Sequence, residues 1–194
     1  VKDIGDPAGV PWPAGFKAPD PAKPWTRAET CPAMEPFQIY SDDLVKVSAV
    51  LVDHAQVYPS FAFRFDTADG SLVISGDTGP DTKGNLQRLA QGCDVLVHEV
   101  LDNIWVEGSF KGAKPGDPVW PLYQHTLSAH TALDDVGKVA ESCRAKTLVL
   151  SHIGPGNTPI SRLRQAQKGF SGRLIVGEDL MQVGVGKPLP GTRG

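Results

Sequence analysis

Three apolar runs in this chain each end on a side chain able to bind a metal, and that recurrence limits the fold more than any other feature. Leu72-Val73-Ile74-Ser75-Gly76-Asp77-Thr78-Gly79-Pro80 delivers a carboxylate into a glycine-flanked turn. Leu148-Val149-Leu150-Ser151-His152 delivers an imidazole, and Ser48-Ala49-Val50-Leu51-Val52-Asp53-His54 does so earlier in the chain. Short apolar runs bounded by turn residues read as buried strands. His54, Asp77 and His152 are therefore expected at strand ends. Imidazole nitrogen and carboxylate oxygen are donors used by catalytic zinc sites, which keep one position open for water. Taken singly, each residue also has an ordinary reading: an edge histidine, a turn former, a loop residue.

The elements around these runs alternate. Strands are expected over residues 45 to 53, 60 to 66 and 71 to 76, the last two joined by the Asp69-Gly70 turn. Asp81 or Thr82 can cap a helix running to about Leu89, and Asp94-Val95-Leu96-Val97-His98 reads as a buried strand. A second helix is expected from Thr131 to about Ala145, with Leu133, Val136, Val139, Ala140 and Cys143 on one face. Thr131 and Asp134 have the spacing of a capping box, which places His130 just before a helix start. A strand over 146 to 151 follows, then a helix near Thr158 with Pro159 at its first position, then apolar runs at 173 to 177 and 181 to 185. Residues 107 to 121, with Gly108, Gly112, Gly116, Pro115, Pro118 and Pro121, read as a long loop bordering a site. The alternation implies an α/β layered domain with its ligand site beyond the strand ends.

At 194 residues one domain is expected, large enough to bury about 70% of its unfolded surface. Residues 1 to 40 hold nearly half of the 17 prolines, together with Trp12 and Trp25, and read as an extended arm. The domain proper is expected over 41 to 194. A net charge of -3 gives no global attraction to nucleic acid, although a local basic patch or a bound metal can still handle phosphates. Cys31, Cys93 and Cys143 are odd in number and lack C-x-x-C spacing, which suggests neither a disulfide framework nor a cysteine zinc site. A reduced, cytoplasmic compartment is the default expectation. No apolar run reaches the roughly 18 residues that span a bilayer. The sequence carries no sign of a membrane partner, and it leaves open assembly into a homo-oligomer.

With their surroundings, these residues resemble the metallo-beta-lactamase fold hydrolases, and within them the ribonuclease Z and arylsulfatase-like branch. The resemblance covers roughly residues 45 to 186. It rests on Asp53-His54 followed by Ser60-Phe61-Ala62-Phe63-Arg64-Phe65, on Ser75-Gly76-Asp77-Thr78-Gly79, on His98-Glu99, on His130-Thr131-Ala132-Leu133-Asp134-Asp135-Val136-Gly137, and on Leu148-Val149-Leu150-Ser151-His152. It implies a four-layer αββα fold and a site holding two zinc ions, with His54 on one, Asp77 bridging and His152 on the other. Metal-bound hydroxide would then attack a phosphodiester or another ester, of RNA or of a small molecule. His130 is similar to the family's mobile-loop histidine, which stabilises the transition state or protonates the leaving group, with Glu99 orienting it. His125 is the competing histidine, and its ordinary reading is a solvated loop residue. For His98 a structural role beside the site stands level with a catalytic one.

The family's H-x-H-x-D-H motif, which supplies most ligands to both metals, is absent. The resemblance places that motif before the region matching His54, so this sequence is expected to correspond to the C-terminal half of such a hydrolase. The competing expectation is a non-catalytic binding or scaffolding module that kept the fold and lost the main metal motif.

Overall fold

The computed structural model describes residue 22, residues 26–55 and residues 57–186. Trp12, Trp25 and most of the proline-rich segment lie outside the described residues. Part of what is described of that segment packs on the domain. Helix α1 (Arg27–Thr30) opens on a capping box in which the Glu29 carboxylate accepts from the Thr26 amide at 2.8 Å. Cys31 is buried behind it, and Asn85 ties residues 32 and 34 to the domain by donating to the Pro32 carbonyl and accepting from the Met34 amide.

Strand β1 (Phe37–Ser41) follows, so the sheet begins four residues before the boundary expected at 41. Then come β2 (Val45–Leu51), β3 (Phe61–Thr67), β4 (Ser71–Ile74), α2 (Asn85–Ala90), β5 (Val95–Leu101), α3 (Asn103–Ser109), α4 (Trp120–Ala129), α5 (Leu133–Ser142), β6 (Thr147–Gly154), α6 (Ile160–Leu163) and β7 (Arg173–Val176). All seven strands form one sheet, in which spatial order equals chain order. The first four pair antiparallel and the last four parallel. It follows that β2, β4, β5 and β6 run in one direction and end at one rim.

The pleat separates two faces. Val50, Ala62, Val73, Leu96, Leu148 and Leu150 point to one side, where Leu86 and Leu89 of α2 and Leu133, Val136 and Ala140 of α5 close the core over them. The apolar stripe expected on α5 is the stripe that is buried. Cys93 and Cys143 lie in this core, and burial pushes their thiols up to about 11 and about 12, so neither is a ready nucleophile. The opposite face carries Phe63, Phe65, Leu72, Ile74 and Val97 and is only partly covered. Leu72, Val97, Val149, Val183 and Val185 line an open groove there. The structure is therefore α/β, a mixed sheet with a helical layer.

Several expectations are adjusted. The loop expected over 107–121 is present but shorter, spanning 110–119 between α3 and α4, because Pro121 sits in the first turn of α4, where a missing amide proton costs nothing. Residues 181–185 form no strand and instead line the groove. The capping box at Thr131 and Asp134 does not form, since other partners take both side chains: Thr131 donates its hydroxyl to the Thr78 carbonyl at 2.8 Å, and Asp134 pairs with Arg162 at 3.1 Å. The helix expected from 81 or 82 starts at Asn85, yet Asp81 still accepts from the first-turn amides of Leu86 and Gln87.

Gly137 shows how closely α5 packs. A methyl group there would press onto the Ala166 carbonyl oxygen and come within 2.7 Å of the Lys168 carbonyl. Alanine normally stabilises a helix interior relative to glycine by about 1 kcal/mol. Here Gly137→Ala is expected to destabilise the protein by about 1–3 kcal/mol through overpacking, read as a lower urea midpoint.

Candidate metal centre

The common strand direction creates the site, because four chain segments reach one rim together. His54 lies just beyond β2 and Asp77 just beyond β4, while Glu99 and His152 stand near the ends of β5 and β6. Asp77 is delivered by Gly76, whose φ of +61° is the left-handed region and whose missing Cβ would sit 2.6 Å from the Phe61 carbonyl oxygen. The Ser60 hydroxyl then holds the Asp77 carbonyl at 2.9 Å, and the Gly79 amide donates to the Asp53 carbonyl, tying this turn to the His54 segment.

His152 reaches the rim by a different device. The β5–β6 ladder pairs Glu99 with Ser151 and then Val100 with Ile153, so His152 is the extra residue of a bulge, at φ +42°. A bulge breaks the alternation of the pleat and re-aims one side chain. Here the ring swings to Asp77, with Nδ1 3.2 Å from Oδ1.

Glu99 is buried and organises the third corner. One carboxylate oxygen accepts from the Thr131 amide at 2.8 Å and the Thr78 amide at 3.3 Å, and the other lies 3.3 Å from His130 Nδ1. A carboxylate only accepts, so His130 carries its proton on Nδ1 and keeps Nε2 for chemistry. This contact raises the His130 pKa above its usual 6.5 despite partial burial. His54 shifts the other way, chiefly by desolvation and then by the nearby His130.

The structure thus brings His54, Asp77, Glu99, His130 and His152 together. Ring centroids lie 5.3 Å apart for His54 and His130 and 5.8 Å for His130 and His152. Two groups of donors are compact enough for a shared cation: His54, Asp77 and His130, and Glu99, His130 and His152, each with its ligand atoms within 4.8 Å of one another. His54 Nε2 is buried and, among the described residues, has no hydrogen-bond partner. Such an orphaned nitrogen is costly unless something binds it, and a divalent ion fits. His98 does not join this group. It lies fully buried on the helix face of β5, with Nδ1 donating to the Glu99 carbonyl at 2.6 Å. His125, expected as a loop histidine, is carried by α4 to 5.7 Å from the His54 ring.

No protein-family model matches the chain. Among curated proteins it is 33% identical over 151 residues to a ribonuclease Z of Mycobacterium tuberculosis, covering 74% of this chain and 50% of that protein. It is 31% identical over 150 residues to a ribonuclease Z of another Mycobacterium species, covering 75% and 48%. The chain spans about half the length of these relatives. Among solved structures it superposes on human tRNase Z, short form, with a TM-score of 0.54 at 20% identity over 81% of this chain and 52% of that one. The metallo-beta-lactamase fold protein YhfI from Bacillus subtilis gives 0.51 at 16% identity over 73% and 50%. The fold is that of the metallo-beta-lactamase proteins.

In the metal-free chain, an NMR titration is expected to place His130 above and His54 below the free-imidazole pKa. Glu99→Gln should bring His130 back down. Because the His130 value is raised by folding, its contribution to stability is complete below about pH 6.5 and is lost as pH rises through the folded value. Glu99→Gln should flatten that part of the stability profile.

Proposed function

We propose, on the premise that the chain is a ribonuclease Z relative carrying the metallo-beta-lactamase fold, that it provides the metal-binding and proton-handling residues of a zinc-dependent phosphodiesterase acting on RNA. The convergence of His54, Asp77 and His152 carries this reading: His152 Nδ1 lies 3.2 Å from Asp77 Oδ1, and the buried His54 Nε2 has no hydrogen-bond partner among the described residues. A zinc ion bound there would supply a Lewis acid and a water activated near neutral pH. Asp77, His54 and His152 would hold the metal, the carboxylate supplying two oxygen donors and the imidazoles one nitrogen each. Enclosing two ions takes more donors than the described residues provide.

The remaining roles belong to the chain itself. Glu99 fixes the His130 ring and favours its protonated form, so that Nε2 can hold a proton for the departing oxygen. Thr131 and Thr78, bound to the same carboxylate, hold Glu99 in place. A sulfate or carboxylic ester could meet the same groups. The phosphodiester is preferred because the curated relatives reported above are named ribonucleases.

The test is zinc content per chain together with cleavage of bis(p-nitrophenyl) phosphate and of single-stranded RNA. Asp77→Ala is expected to lower both metal content and turnover, the latter by about a thousandfold, equivalent to about 4 kcal/mol of transition-state stabilisation. Glu99→Gln should retain metal and lose rate. A chain that takes up no zinc and cleaves neither substrate would overturn the proposal and leave a binding or scaffolding module.

A further inference from the structure

We infer that His125 is a substrate-contacting residue, an N–H donor that α4 presents to a non-bridging oxygen of the bound phosphodiester. This rests on the phosphodiesterase reading above and adds a contact that the metal-binding residues do not make. Three observations support it. The His125 ring stands 5.7 Å from that of His54, tilted by 54°, so it lines the site. It belongs to neither group of donors compact enough to share a cation, so it borders the metal position without closing it. Among the described residues, no hydrogen bond satisfies its ring nitrogens, and the ring is half-buried rather than free in solvent. An imidazole always carries at least one N–H. A half-buried donor beside a cation site and lacking a protein partner is suited to an anionic oxygen brought there by the metal.

The placement follows from the backbone. α4 ends where His130 begins, in extended conformation at the helix C-terminus. The same helix therefore sets the position of His125 and the start of the segment that Glu99 holds through Thr131. Trp120 and Phe110 pack on Tyr123, with ring centroids 5.6 Å and 5.3 Å away, and brace α4 against α3.

The test is a calorimetric titration of inorganic phosphate into the full chain equilibrated with zinc, with zinc per chain measured alongside. It compares the unsubstituted protein with His125→Phe, which keeps a ring and removes the donor, and His125→Gln, which keeps a donor. A hydrogen bond to a charged oxygen is worth about tenfold or more in affinity. His125→Phe should weaken phosphate binding about tenfold with zinc content unchanged, and His125→Gln should recover most of the loss. If His125→Phe fails to fold by circular dichroism, His125→Ala serves as the donor-deleting variant. Equal affinity in all proteins, no phosphate binding by the unsubstituted chain, or loss of zinc on replacing His125 would each overturn the inference. Failure of the phosphodiesterase reading shows differently: phosphate binding that depends on His125, with no turnover of bis(p-nitrophenyl) phosphate.

Discussion

The buried Glu99 carboxylate holds the candidate site together. It accepts from amides on two separate segments and from His130, so the turn after β4, the end of β5 and the start of α5 share one anchor. A buried carboxylate is tolerated only when its lone pairs are filled. The partners that fill them are the backbone groups whose positions decide where Asp77 and His130 point. Burial and geometry are thus one requirement here.

Much of this was legible in the sequence, because turn chemistry and apolar runs are local signals. Gly76 before Asp77, and Leu148-Val149-Leu150 before His152, announce strands that deliver polar side chains to a rim, and Asp77 lies just beyond β4 while His152 lies near the end of β6. The α5 stripe of Leu133, Val136 and Ala140 was equally plain, since a 3.6-residue period survives any tertiary setting. His125 was hidden for a physical reason. Its helix leaves Leu122 exposed on the surface and is flanked by Pro118 and Gly116, so composition spoke for a loop. The capping box at Thr131 misled because tertiary partners outbid the local one. Thr131 and Asp134 answer to Thr78 and Arg162, more than 25 residues distant in the chain. The bulge at His152 has no local signal at all, being a property of two strands in register.

The two faces of the sheet divide the labour. One is closed by α2 and α5 and supplies the hydrophobic core, while the other keeps an open groove of mixed lining, in which His152, Glu178 and Asp179 join Val97, Val149, Met181 and Val183. At the rim where these faces meet, polar groups from four strands gather without interrupting either apolar surface. That accounts for the compactness of the site in a chain with only five histidines.

The agreement between chain order and sheet order has a kinetic meaning. Every strand pairs with its neighbour in the chain, and the longest closure is the β5–β6 crossover, which carries α3, α4 and α5. Chain-entropy costs of this kind grow slowly with loop length and set how fast a sheet can assemble. The last strand, β7, pairs with β6 alone, while His54, Asp77, Glu99 and His152 come from the ends of β2, β4, β5 and β6, so the edge strand closes the sheet without supplying any member of the polar cluster.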